Sequence, residues 1–191
     1  MASHYEEMAA ATRAAIVDAF WTLYSEKKIE EISIKEITAL AHCHRATFYR
    51  HFTDIYDLLD QIETELLTPL QELADERMVD QDRRYDLYRA VADVYEQNAK
   101  YFSLLLTKDY VFAERMKDTL RPHMMEALGL DPQNPMDRYA VEFGMAATIG
   151  SITYWYQSGK DISSEELIAF IGDGLTCGVL QPAGGQQRDA E

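Results

Sequence analysis

Ser33 heads the run "SIKEITALA", and Glu36 stands three residues on, so the two side chains can cap one another's backbone N–H groups. Apolar Ile34, Ile37, Leu40 and Ala41 follow at helical spacing, and the pattern then stops. This predicts a helix of only about nine residues. After "HCH" a second short helix is expected over 45–51, "RATFYRH". A longer amphipathic helix, over about 12–27, precedes the pair on Ile16, Ala19, Phe20 and Leu23. Two short helices joined by a tight turn behind a longer one is the layout of a helix-turn-helix.

The rest of the chain keeps the helical period. A fourth helix is expected from Thr53 or Asp54 through Leu58, Leu59, Ile62, Leu66, Leu67 and Leu70, with Pro69 predicted to kink or end it. The polar run "DERMVDQDRR" reads as a connection, followed by helices over 85–98, 101–108 and 111–128. "GLDPQNP" (129–135) is a loop. The last pair covers 136–157 and 163–180, with Gly159 ending the first and a second capping box, Ser163 and Glu166, opening the other. The chain has no alternating strand pattern and no internal repeat. The fold class is all-α, with about nine helices.

Composition narrows the function classes. Of the chain's net charge of −15, residues 1–60 contribute 6 Lys/Arg against 10 Asp/Glu, and 61–191 contribute 12 against 23. So acidic a chain excludes non-specific nucleic-acid affinity, and any DNA contact is confined to a small basic surface. "HCHRATFYRHF" (42–52) is such an exception, with three His, two Arg and no acid. The longest uncharged run, Phe143–Gly159, is broken by Thr148, Ser151, Thr153, Gln157 and Ser158, and reads as a buried helix rather than a membrane span. The N-terminus has acids where a secretory signal would be basic, and Cys43 and Cys177 make no disulfide framework, so the cytoplasm is the expected compartment. No P-loop, G-x-S-x-G or H-E-x-x-H motif is present, and no enzyme activity is expected. Glu6–Glu7 and Glu165–Glu166 suit helix N-termini rather than catalysis.

On the second short helix, Phe48 and Phe52 fall on one side and must face inward. Ala46, Thr47 and Arg50 then lie opposite, flanked by Tyr49 and His51, with Arg45 in the first turn. A small residue permits close approach, Thr and Arg can address base edges, and Tyr, His and Arg can hold phosphates. The plainer alternative is a short solvated helix. His42, Cys43, His44 and His51 could also be read as metal ligands, but residues on a turn need not converge and no second cluster answers them, so no metal or cofactor is expected. Cys43 is either a redox sensor or a small apolar residue. In the second half Tyr88, Tyr95, Phe102, Phe112, Met116, Phe143 and Trp155 recur at helical spacing. They either fill a core or line an apolar effector pocket. Gly144, Ala147, Gly150, Ser151, Gly174 and Gly178 suggest close backbone approach within the subunit or across a dimer, near Ile171 and Cys177.

The stretch "SIKEITALAHCHRATFYRHFTDIYDLL" resembles the DNA-binding segment of the TetR/AcrR family of bacterial transcriptional regulators, most specifically in "RATFYRHF" followed by "DLL". "NAKYFSLLL" and "ITYWYQSGKDISSEEL" are similar to the regulatory domain of a branch from Gram-positive bacteria. The resemblance implies a helix-turn-helix domain over 1–53, an effector-binding and dimerisation domain over 54–181, and a disordered tail over 182–191. It implies a homodimeric regulator, most often a repressor, on a near-palindromic operator, released by a small-molecule effector. Tyr49 and His51 would hold the DNA backbone, Thr47 a phosphate or base, Arg45, Ala46 and Arg50 the major groove, and Lys35 a further phosphate. Gly144, Ala147, Ser151, Ile171, Gly174 and Gly178 would lie at the dimer interface.

The chain departs from the family at His42 in the turn, at His44 as N-cap, and at Thr53 and Ile55, where the branch carries Lys. Those departures and the acidity sustain a second reading, a coactivator or adaptor of the same fold that acts through another protein. If the histidines protonate beside phosphate, operator binding is expected to strengthen toward pH 6.

Overall fold

The computed structural model describes residues 4–77 and 93–175, which are helical with no strand among them. Its helices are α1 (His4–Glu26), α2 (Ile34–Leu40), α3 (Arg45–His51), α4 (Ile55–Arg77), α5 (Ala99–Lys108), α6 (Tyr110–Ala127), α7 (Pro135–Gln157) and α8 (Ser164–Gly174). Residues 93–97 are helical as well. The expected disordered tail, most of the expected helix over 85–98 and the end of that over 163–180 lie outside the described residues.

The chain divides into two compact units, one through Glu65 and one from Leu66 on. The sequence reading placed the break at 53/54. It falls later because the first turns of α4 carry Leu58, Leu59 and Ile62 into the core of the first unit. Pro69 neither ends α4 nor marks its last turn: the helix runs on to Arg77. Proline's fixed φ is helical, and what is lost is the N–H that would serve the Glu65 carbonyl.

In the first unit, Ile16 and Phe20 of α1, Ile37 of α2, Phe48 of α3, Phe52 at the C-cap of α3 and Leu58 of α4 are fully buried. Phe20 stacks on Tyr24 at 5.2 Å, and Phe48 and Phe52 stand 5.6 Å apart. Removing each such ring from water contributes about 2–3 kcal/mol. The expected start of α1 at 12 is too late, because "HYEEMAAATR" continues the helix backward with Glu6 and Glu7 in its first turn, where the helix dipole favours acids.

The capping box on α2 forms: Glu36 N–H donates to Ser33 Oγ at 3.3 Å, and Ser33 N–H donates to Glu36 Oε2 at 3.0 Å. The helix closes with the Cys43 N–H on the Thr38 carbonyl (3.0 Å) and the His42 N–H on the Ala39 carbonyl (3.4 Å). That pair of bonds is the Schellman end, and it requires the left-handed φ of 51° found at His42. Histidine accepts this conformation more readily than most residues, so the turn survives without glycine.

In the second unit α5 to α8 pack around Phe102, Leu105, Phe112, Val141 and Met145. Asp109 caps α6 through Val111 N–H (2.9 Å), Asn134 caps α7 through Met136 N–H (3.0 Å), and Ser163 with Glu166 forms the second capping box on α8. Gly129 and Gly159, at φ 63° and 80°, make the left-handed turns after α6 and α7. Lys117 of α6 reaches Glu142 of α7 at 2.5 Å, and Arg121 reaches the same carboxylate at 3.2 Å.

Candidate nucleic-acid interface and ligand cavity

The sequence of α3 separates its faces as the spacing requires. Phe48 and Phe52 turn inward, while Arg45, Ala46, Tyr49 and Arg50 are exposed and Thr47 is half-buried. The Tyr49 ring meets the edge of Phe48 at 5.7 Å and 88°, which fixes the phenol while leaving the residue 55% exposed. Lys35 is exposed in the first turn of α2. Among the described residues, Lys35, Arg45 and Arg50 make no ion pair, whereas Arg13 and Lys27 are engaged by Glu65 and Glu36. Three cations are thus presented free on an otherwise acidic chain, around a small residue that allows close approach.

His51 behaves differently from its neighbours. Its Nε2 is buried without a hydrogen-bond partner among the described residues, and its ring lies 6.1 Å from Phe52. Burial, then the charges of Arg50 and Arg13, hold its pKa below the ordinary histidine value. Its carbonyl accepts from Gln61 Nε2 of α4 at 3.4 Å.

The departures expected from the sequence have structural counterparts. His44 occupies the N-cap of α3 with no side-chain bond to the helix. At the start of α4, Asp54 Oδ1 accepts from both Tyr56 N–H and Asp57 N–H at 2.8 Å, and Asp57 Oδ2 accepts from Thr53 N–H at 2.6 Å. The N–H groups that could receive an anion there are already held by acids. His42 and His44 are exposed on the turn with Cys43 half-buried between them, and burial pushes the Cys43 thiol up.

The second unit encloses an apolar cavity of about 40 Å³. Tyr95, Phe102 and Met116 line it. Phe112 and Trp155 are buried but do not line it. Trp155 instead donates its indole N–H to the Ile162 carbonyl at 2.7 Å, tying α7 to the segment before α8. Phe143 is 55% exposed on the outside of α7, and Tyr88 lies outside the described residues. The lining that sequence reasoning missed is aliphatic: Leu120 and Met124 continue the stripe of Met116 on α6, and Met145, Thr148 and Ile152 form the facing stripe of α7. Those two stripes, not the aromatics alone, carried the signal.

Set beside solved structures, the chain is similar to a TetR transcriptional regulator from Streptococcus agalactiae 2603V: TM-score 0.64, 23% identity, 91% of this chain and 96% of that one covered. It is also similar to a TetR-family regulator from Streptomyces coelicolor, with TM-score 0.60, 19% identity, and coverage of 85% and 80%. A third likeness is to the dihydroxyacetone kinase operon activator DhaS, with TM-score 0.54, 17% identity, and coverage of 88% and 96%. No family model matches the chain, and no curated protein does. The fold is that of the TetR-family regulators.

Within this TetR fold, the residues expected at a dimer interface fall into two groups. Gly144 and Ile171 are buried within the chain itself, which removes them from any outer face. Ala147 and Ser151 are half-buried, Gly174 is exposed, and Gly178 and Cys177 lie outside the described residues. Open apolar positions include Met136, Tyr139, Phe143 and Tyr154 of α7 and Phe170 of α8. At Gly150 and Gly174 an added Cβ would meet nothing within 4 Å, so neither glycine serves packing inside the chain. No described helix is long and apolar enough to cross a membrane.

Proposed function

We propose that the protein is a DNA-binding transcriptional regulator whose α3 enters the major groove of a near-palindromic operator. The observation that carries this reading is the free, exposed face of Arg45, Ala46, Tyr49 and Arg50, with Lys35 beside it. Arg45 and Arg50 address base edges, Thr47 a base or phosphate, and Tyr49 and Lys35 the backbone. His51 is left out of the contact set and supports α3 from behind.

The regulator acts as a homodimer, a second copy covering the apolar stripes of α7 and α8. Two such helices from each copy, with Gly150 and Gly174 open to close approach, suit an isologous interface. A small molecule entering the cavity of the second unit shifts the population toward helix-turn-helix spacings that no longer fit the operator, which makes the protein a repressor. It acts in the cytoplasm and is not an enzyme. A gel shift on the DNA upstream of its own gene tests the reading, with Arg45→Ala as control. Binding that Arg45→Ala abolishes supports it; equal affinity of both proteins for this DNA and for unrelated DNA sinks it.

A second reading is a coactivator or adaptor with little DNA affinity of its own. The acids that hold the N-terminus of α4 favour it, since Asp54 and Asp57 stand where anions would otherwise dock. The likeness to an operon activator fits either role. Absence of a footprint at low salt would favour the adaptor.

A further inference from the structure

We infer that Gln61 of α4 is a positioning residue for operator recognition: its side-chain amide sets the direction of α3 and so places Arg45 against a base edge, without touching DNA itself. This deepens the DNA-binding reading and rests on it. α3 has only seven residues, too few to be stable on its own hydrogen bonds. His44 gives its N-terminal end no side-chain bond. The helix therefore takes its direction from the packing of Phe48 and Phe52 and from whatever grips its C-terminal end. There the Phe48 carbonyl accepts from Phe52 N–H at 3.0 Å, and the His51 carbonyl accepts from Gln61 Nε2 at 3.4 Å.

Three segments of the first unit meet at this amide. Gln61 Oε1 accepts from the Arg13 guanidinium of α1 at 3.4 Å, and Nε2 donates to Asp57 Oδ1 at 3.1 Å as well as to the His51 carbonyl. Arg13 is held in turn by Glu65 at 2.5 and 3.2 Å, and Asp57 Oδ2 accepts from Thr53 N–H at 2.6 Å and from Thr53 Oγ at 3.1 Å. Chemistry allows the amide one orientation. A guanidinium only donates, whereas a carbonyl and an ionised carboxylate only accept. Asp57 is ionised, because the Thr53 N–H and then the Gln61 amide hold its carboxyl below the ordinary value. The position thus calls for an acceptor toward α1 and two donors toward α3 and Asp57, on one side chain of this length. Glutamine supplies both. Glutamate would set acceptor against acceptor.

The lever is long enough to matter. Arg45 lies six residues from His51, about 9 Å along the helix. A tilt of about 10° at the His51 end moves Arg45 by roughly 1.5 Å. That is enough to break a bidentate bond to a base edge, whose distances hold within a few tenths of an ångström. Phosphate contacts by Tyr49 and Lys35 are less affected, because the backbone charge repeats along any duplex. Losing the amide therefore lowers preference for the operator more than affinity for DNA in general.

The test uses the full chain, a fragment from upstream of its own gene and an unrelated fragment of equal length, with affinity read by fluorescence anisotropy. Gln61→Met keeps the side chain's length and neutrality. It should bind the operator about tenfold more weakly, the scale of one lost base contact, and stay within about twofold of the parent on the unrelated fragment. Gln61→Glu should lose at least as much preference, read as the ratio of the two affinities so that its added charge cancels. In an Arg45→Ala background, Gln61→Met should cost the operator less than about twofold, since the contact it places is already gone. Equal losses on both fragments, an unchanged preference, or a full tenfold loss without Arg45 each overturn the inference. A parent protein that binds the two fragments alike sinks the DNA-binding reading itself, and the inference with it.

Discussion

The Arg13 guanidinium lies 5.3 Å from the centre of the Phe52 ring, and the same group grips Glu65 at 2.5 and 3.2 Å. It also reaches Gln61 at 3.4 Å, whose amide in turn donates to the His51 carbonyl. One residue of α1 thus holds the end of α3 and the first turns of α4. A planar, bidentate donor is needed, because lysine offers a point charge in its place.

Arg13→Ala is expected to destabilise the first unit by about 1–2 kcal/mol, the sum of a partly exposed fork and a cation–π contact. Arg13→Lys should recover less than half of that. Urea titration followed by far-UV dichroism checks it; midpoints unchanged in both variants would show that the contacts hold nothing together.

The outer face of α3 makes a second prediction. Arg45→Ala should cost about 1–3 kcal/mol of operator binding and relax preference at one base position. Tyr49→Phe should weaken all sequences alike, and Lys35→Ala should lower the slope of log affinity against log salt by about one. Fluorescence anisotropy over a salt series separates the three. If Lys35→Ala leaves the slope untouched, Lys35 is not a phosphate contact.

Much of this arrangement was legible in the sequence, for physical reasons that are local. Ser33 and Glu36 announce α2 because a capping box needs only neighbours, and Phe48 with Phe52 orients α3 because helical periodicity is intrinsic. What was not legible is contact between distant segments. The aromatic pattern could not tell Tyr95, which lines the cavity, from Phe143, which faces out, since both sit at helical spacing. Nor could it show that His51 Nε2 is buried within reach of the Arg13 charge, because Arg13 arrives from another helix. Gly144 and Gly150 looked alike as small residues, yet one is buried and the other open.

The half-buried His51 and the capped Glu36 set opposite ends of the acid response. The pKa of His51 is lowered from 6.5 by burial, then by Arg50 and Arg13, so the unfolded chain binds more protons below that value. Its contribution is complete above pH 6.5 and is lost as pH falls from there through the lowered folded value. Glu36, held to about 2 by Lys27 and then Ser33, contributes above its ordinary value of 4.5 and loses that contribution as pH falls toward 2. His51→Gln should therefore lessen the loss of stability as pH falls from 6.5, and Glu36→Gln only that below 4.5. Denaturation midpoints measured across pH 3 to 7 decide it, roughly one point per half unit.

The outer face of α7 and α8 carries the last prediction. Tyr139, Tyr154 and Phe170 are each at least 70% exposed, and Phe143 stands between the tyrosines on the same helical stripe. Rings so open on a single chain are covered in solution when a second copy presents the same stripe. Phe143→Asp places a charge in that seam and should shift sedimentation from dimer to monomer at micromolar concentration, with helicity retained. Gly150→Leu approaches the question from the other side. Its side chain enters space that is empty within one chain, so the monomer folds and its helix gains up to about 1 kcal/mol. The same side chain would hold two copies apart, and the dimer dissociation constant should rise more than about tenfold. If Phe143→Asp and Gly150→Leu both sediment as the parent protein does, the copies meet on some other face.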